Sequence, residues 1–170
     1  DTCDRREFSD KTLSYYENMY DAFGEDVAFK ICELNCDTYI EHLEEENKEF
    51  ERKLNELSDS ASNKKKKEVM RKDIENNNKK IEDTKKLKEE KGNVIPLSVA
   101  MFMLYGDEIV YLFSGSYAEY MSFCGQYRLQ WEIIKYAAEN GYKRYNFYGI
   151  QDVFNPEGKD RGVYEFKKGF

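Results

Sequence analysis

A chain of 170 residues has room for one compact domain with an appendage and little more. Charged residues make up 36%, as in many disordered chains, but 14 Tyr and 11 Phe bring apolar surface that disorder does not tolerate. The formal net charge of -7 excludes a global positive field, so any site for a polyanion must be local.

The segment from Ser9 to Phe23 predicts a helix with Leu13, Tyr16, Met19, Tyr20 and Phe23 inward. Val27 to Leu34 alternates and predicts a strand. Composition then changes. Residues 38–92 are dominated by Glu, Lys, Asn and Asp, and Ile40, Leu43, Asn47, Phe50, Leu54 and Leu57 recur at spacings of three and four, a heptad seam. After the polar SDSASNK break the seam resumes more weakly with Met70, Ile74, Asn77, Ile81, Thr84 and Lys88, which predicts an antiparallel coiled-coil hairpin with its apex near Ser62. In that register Asn47 meets Asn77, a pairing that penalises slippage, because a slipped helix would bury each amide against carbon. Charge favours the same pairing. Seven acidic and three basic residues from Thr38 to Ser58 give -4, whereas twelve basic and seven acidic from Lys64 to Lys91 give +5. The Lys64 to Lys67 cluster reads as a solvated loop tip, with a contact to RNA or a partner protein as the functional alternative.

Val94 to Tyr105 and Ile109 to Ser114 are apolar runs separated by GDE, a hairpin signal. Pro96 and Ser98 interrupt the first, which is too short to span a membrane, and nothing resembles a signal peptide. Gln126 to Asn140 has helical spacing and ends at Gly141, suited to a left-handed cap. Arg144 to Ile150 predicts a further strand, and GIQDVFNPEGKDRG a loop. The sum is an α+β fold: a mixed sheet with at least one helix packed on it. Because the chain opens on Asp1 and stops at Phe170 within an amphipathic run, a piece of a longer protein is expected.

Several chemistries are excluded by composition. Cys3, Cys32, Cys36 and Cys124 lack CxxC spacing and His42 stands far from them, so no zinc site is expected, and the thiols read as reduced in a cytoplasmic protein. A lone histidine on the hairpin cannot serve a Ser-His-Asp triad or a Cys-His pair in the body. There is no Walker A or GxGxxG loop. What remains clusters near strand ends: Tyr111, Tyr148, Asp152, Arg161, Phe166, Lys167 and Lys168.

QWEIIKYAAENGYKRYNFYGI, followed by GVYEFKKGF, resembles the C-terminal half of the Fem family of nonribosomal peptidyltransferases, as do the inserted hairpin and the EFSDKTLSYYENMY segment. The resemblance covers essentially the whole chain. It implies a GNAT-like acyltransferase sheet, begun by residues 1–37, interrupted by a coiled-coil arm over 38–92 and completed by 93–170. It also implies transfer of an amino acid, glycine by the NFYG and FKKGF wording, from aminoacyl-tRNA to an amine of a peptidoglycan precursor, lipid-linked or UDP-linked. No cofactor is implied beyond the aminoacyl-tRNA donor, and a Fem-family protein is a candidate partner. Phe166 and Lys167 match the pair associated with the aminoacyl-tRNA end and the reacting carbonyl, while Tyr111 and Tyr148 match aromatic positions of the substrate cleft. Lys11 stands where the family often has Arg, which keeps the charge for a substrate phosphate and loses bidentate geometry. Ordinary strand packing for the two tyrosines and a surface lysine at a helix start are the plain alternatives.

Two rival readings stand beside this one. A CoA-dependent N-acetyltransferase would need a glycine-rich pyrophosphate loop, and SGSYAEYMSFCGQYR lacks that spacing. A noncatalytic binding fragment with the hairpin as its recognition element is the other.

Overall fold

The computed structural model describes residues 11–58, 60–150, 158 and 161–170. In chain order the elements are α1 (Leu13–Phe23), β1 (Val27–Asn35), α2 (Cys36–Glu56), α3 (Ala61–Lys91), β2 (Val94–Tyr105), β3 (Glu108–Ser116), α4 (Gly125–Glu139), β4 (Arg144–Asn146) and α5 (Arg161–Lys168). The chain divides into two compact units: Asp1–Cys32 with Leu97–Phe170, and Glu33–Pro96. The architecture is α+β, with the GNAT-like sheet that the resemblance implies.

In the first unit the strands lie in the order β1-β2-β3-β4. β2 and β3 form an antiparallel hairpin turned at Gly106, whose φ of 59° suits a residue without a Cβ. β4 pairs parallel to β3, which requires a crossover, and α4 supplies it. The apolar stripe of α4, Leu129, Ile133 and Ala137, packs on Ala100, Phe102, Ile109 and Tyr111 of the sheet. Each fully buried Leu, Ile or Phe side chain contributes about 1.5–3 kcal/mol, so this layer fixes α4 on β2 and β3.

One irregularity sets the faces of β3. The register runs Met101 to Phe113 and then Phe102 to Tyr111, leaving Leu112 as an extra residue in a bulge. Tyr111 and Phe113, two apart, would share a face in a regular strand; here they stand on opposite faces. Tyr111 joins the core beneath α4, whereas Phe113 meets Tyr15 and Tyr16 of α1 edge-on.

The second unit is the helical hairpin. α2 is capped by Asn35, whose side chain accepts the Thr38 N–H at 3.1 Å, and carries Asp37 in its first turn and Lys53 in its last, both favourable to the helix dipole. The two helices run antiparallel: Lys88 pairs with Asp37 at 2.5 Å, and Asn77 Nδ2 donates to Asn47 Oδ1 at 3.1 Å. The asparagine pairing derived from the heptads is therefore present. Asn47 also donates to Asn78 Oδ1 at 2.9 Å, a third amide that the seam pattern did not include. Near the strands the seam is buried at Ile40, Leu43, Ile81 and Thr84; toward the turn Phe50, Leu54, Met70 and Ile74 are half-buried.

Four expectations are corrected. None of the side chains of α1 is buried, and Leu13 is 73% exposed, because the helix is oriented by Tyr15 and Tyr16 against Phe113 and Phe29 rather than by the Leu13, Tyr20 and Phe23 side. β4 ends at Asn146 instead of Ile150, since the Asn146 side chain accepts the Tyr148 N–H at 2.8 Å and turns the chain. Lys64 to Lys67 lie inside α3 and not in a loop, because the helix starts at Ala61. Lys11 lies beside Tyr15, which packs on Phe113 across the sheet from Tyr111, and not with the other site candidates. Asp152, Cys3 and most of the GIQDVFNPEGKDRG segment lie outside the described residues.

Candidate active site

Lys167 lies in the last turn of α5, half-buried. Its ammonium donates to the carbonyl oxygens of Tyr148 at 3.2 Å and Gly149 at 3.3 Å, and stands 6.0 Å from the centre of the Tyr111 ring. Three of the residues singled out from the sequence are thus brought together. The cation is held by two carbonyl dipoles and the negative face of a ring, an arrangement that fixes its position.

The two carbonyls are presented by a strained turn. Tyr148 has φ 61°, in the left-handed region where a bulky side chain is an outlier. Such strain costs about 1–3 kcal/mol and persists where the surroundings over-determine it. The Asn146 side chain on the Tyr148 N–H supplies part of that determination. The Tyr148 ring itself is 60% exposed, so it is the backbone of this residue that holds Lys167, while the ring remains available to a ligand.

Tyr111 is fixed at its hydroxyl. It donates to Ser114 Oγ and lies 3.4 Å from Gln126 Oε1, and Gln126 Nε2 donates to the carbonyls of Val99 at 3.1 Å and Gly115 at 3.0 Å. Gln126, at the start of α4, therefore ties the ring under Lys167 to both strands of the hairpin. Neither Ser114 nor Gln126 was visible as a functional position in the sequence, because their role follows from the bulge at Leu112 that aims Tyr111 at them.

Phe166 sits half-buried against the core and inside a group of rings. Its centroid is 4.8 Å from Tyr127 and 5.5 Å from Phe170, and Phe147 is 5.7 Å from Phe170. The high aromatic content of the last 45 residues was the only sequence signal for this group. Beneath it Tyr145 donates to Gln130 Oε1, and burial first, then the neighbouring Tyr111, pushes its phenol far above the ordinary tyrosine range. Tyr145 remains a neutral donor.

Lys11 is not brought to this cluster. Its ammonium lies 5.5 Å from the Tyr15 ring, and Tyr15 packs on Phe113, across the sheet from Tyr111. His42 is on α2 beside Glu46 at 3.6 Å. The SGSYAEYMSFCGQYR segment forms the end of β3, a short 3-10 helix over Ala118–Phe123 and the start of α4, with Gly125 packed against Leu97 and Ser98. No helix among the described residues is long and apolar enough to cross a membrane, and no group of three or more His, Cys, Asp or Glu among them could hold a metal ion.

Comparison with known proteins gives concordant results. The FemAB family matches residues 1–170. The chain is 37% identical over 177 residues to the aminoacyltransferase FemA of Staphylococcus epidermidis, covering all of this chain and 42% of that protein, and 36% identical to FemA of Staphylococcus aureus over the same span. The crystal structure of FemX superposes with a TM-score of 0.66 at 27% identity, covering 98% of this chain and 44% of FemX. The chain spans less than half the length of the relatives it matches.

Proposed function

The chain belongs to the FemAB family, and on that membership we propose that it forms part of an aminoacyltransferase that moves an amino acid from aminoacyl-tRNA to the amine of a peptidoglycan stem peptide. The finer reading is glycine as the residue moved and a lipid-linked or UDP-linked muropeptide as the acceptor, with the reaction in the cytoplasm and a Fem-family protein as partner. The aminoacyl ester is itself the activated group, so the reading requires no cofactor.

One observation carries the mechanism: an immobilised ammonium, Lys167, held by the Tyr148 and Gly149 carbonyls beside Tyr111. Attack of an amine on an ester carbonyl passes through a tetrahedral oxyanion. A cation already in place when that charge develops lowers the barrier without reorganising at the moment of reaction. Phe166, next in sequence and packed into the ring group, anchors the turn of α5 that carries the lysine. The exposed rings of Tyr127, Tyr148 and Phe170 offer faces on which the bases at the donor's single-stranded end stack.

The attacking amine must lose a proton. A lysine-type acceptor has a pKa of ~10.4, so about one molecule in 2,500 is neutral at pH 7. Tyr145 is not the acceptor of that proton, since burial keeps it protonated. The proton goes to a group of the substrate, a phosphate or carboxylate, in this reading.

The test is transfer from aminoacyl-tRNA to a muropeptide by the protein at the length of its relatives. Lys167→Ala is expected to lower kcat about 100–1,000-fold with an unchanged circular dichroism spectrum. Unchanged turnover in a folded variant would remove Lys167 from the chemistry.

A further inference from the structure

α5 is basic within an acidic chain. Its eight residues hold three basic side chains and one acidic, a net of +2, whereas the whole chain carries -7. Lys167 belongs to the candidate active site; Arg161 and Lys168 have no part in it. Lys168 ends the helix, where a cation suits the dipole, but Arg161 opens it, where a cation opposes the dipole, and the first turn holds no acidic residue.

The two outer cations are gathered by one ring. The Arg161 guanidinium carbon lies 5.1 Å and the Lys168 ammonium 5.6 Å from the centre of the Tyr164 ring. Three residues before Tyr164 and four after it are the spacings that share a helix face, so the three side chains form one strip along α5. Arg161 and Lys168 are exposed and Tyr164 is half-buried. Elsewhere in this unit Arg128 and Lys135 pair with Glu132, and Lys143 and Arg144 with Asp107. Lys168 has no carboxylate partner among the described residues. Arg161 pairs with Glu165, but both side chains are well exposed, so the pair holds weakly and the guanidinium keeps N–H groups that Glu165 does not take. The strip adjoins the reacting centre, since Tyr164 stands one turn before Lys167 and Lys168 is the next residue.

On the aminoacyl-transfer reading, we propose that Arg161 and Lys168, positioned by Tyr164, bind the last phosphodiesters of the donor's single-stranded RNA end. A forked guanidinium beside a point charge fits phosphate oxygens. Both substrates carry phosphate, the donor in its RNA backbone and the acceptor in the diphosphate of its lipid or nucleotide carrier. Reach decides between them. The donor's first phosphodiester is one nucleoside from the ester, whereas a sugar and part of the stem peptide separate the acceptor's diphosphate from the attacking amine. Cations beside Lys167 therefore meet the donor.

Fluorescence anisotropy with a labelled ACCA tetranucleotide, the single-stranded end shared by tRNAs, tests this on the protein at the length of its relatives. One cation on a single-stranded phosphate adds about 0.7 to the slope of log K against log salt, which amounts to about fivefold at 0.1 M salt. Arg161→Gln and Lys168→Gln are each expected to lower the slope by about 0.7 and to weaken binding about fivefold, and the double variant about 25-fold. Tyr164→Leu keeps both charges and loses the ring that holds them, so binding is expected to weaken with the slope retained, and Tyr164→Phe to match the parent. Uncharged methylphosphonates at the last two linkages are expected to weaken binding to the parent about 25-fold and to leave the double variant unaffected. Lys143→Gln, on the β4 side of the sheet, is expected to change binding less than about twofold. Thermal melts show that each variant is folded. RNA binding with the same slope in the parent, Arg161→Gln and Lys168→Gln would overturn the α5 contact and leave the transfer reading in place, whereas no RNA binding by the parent would overturn both. Weaker binding of a UDP-linked muropeptide with RNA binding unchanged would assign the phosphate to the acceptor and overturn the proposal.

Discussion

Gly125→Ala sets two effects of opposite sign against each other at the start of α4. Alanine is the better helix former, by about 1 kcal/mol at most, and the glycine has no positive φ that would penalise a side chain. On propensity alone the variant would be more stable. A Cβ at this position, however, would lie 2.7 Å from Ser98 Oγ and 2.9 Å from Leu97 Cβ. The hydroxyl can rotate away, but Leu97 Cβ rides on the β2 backbone, so relief requires α4 to lift from the sheet. Overpacking of this kind costs about 1–3 kcal/mol, leaving a net loss of up to roughly 2 kcal/mol. For a chain of this size that corresponds to a fall in Tm of up to about 8 °C, measured by thermal melting at 222 nm. The neighbouring Gln126 and Tyr127 hold Tyr111 and Phe166, so the displacement reaches the Lys167 site and transfer activity falls with stability. Ser98→Ala/Gly125→Ala is expected to recover only part of the loss, because the Leu97 contact remains. A Tm for Gly125→Ala equal to or above that of the parent would show that α4 is not closely seated on β2, and the reasoning would fail.

Three further outcomes are expected. In a double-mutant cycle, Asn47→Leu and Asn77→Leu each leave a buried amide facing carbon, at about 1–3 kcal/mol, whereas the double variant removes both partners; urea unfolding is expected to give a favourable coupling above about 1 kcal/mol, and additivity would contradict the buried amide pair. Tyr145→Phe strips Gln130, which is fully buried, of the donor to its Oε1 and is expected to cost about 1–3 kcal/mol in chemical denaturation; a neutral effect would show that water replaces the phenol. Arg52 first, then Lys53, hold the Glu49 carboxyl down at about 2, so its contribution to the hairpin is present above the unfolded carboxylate pKa and is lost as pH falls toward 2. Melts of the parent and of Glu49→Gln at pH 5 and pH 2.5 should therefore differ more at pH 5; a constant difference would argue against the pairing.

Much of the candidate site was legible as residue identities and little of it as geometry. Lys167, Phe166, Tyr111 and Tyr148 stand in segments whose wording is specific; the structure brings the Tyr111 ring and the Tyr148 carbonyl to the Lys167 ammonium, while Phe166 packs on Tyr127. That Tyr148 contributes carbonyl dipoles through a left-handed turn, and that Gln126 and Ser114 hold Tyr111, could not be read from spacing. Lys11 was carried toward the site by its motif, yet its helix packs on the other face of the sheet.

Where contacts are local and periodic, the chain's own pattern was sufficient. The heptads and the charge split fixed the hairpin register down to Asn47 on Asn77, and glycines marked the turn after β2 and the end of α4, because a helix repeat of 3.5 and a positive φ are properties of a few consecutive residues. Where the outcome depends on residues far apart, only the tertiary structure decided. The bulge at Leu112 flips Tyr111 and Phe113 to opposite faces, and it exists because β2 and β3 must satisfy their ladder and two packing layers at once. The face of α1 that meets the sheet was settled by two rings on β1 and β3, since amphipathicity tells which residues avoid water and not which partner covers them.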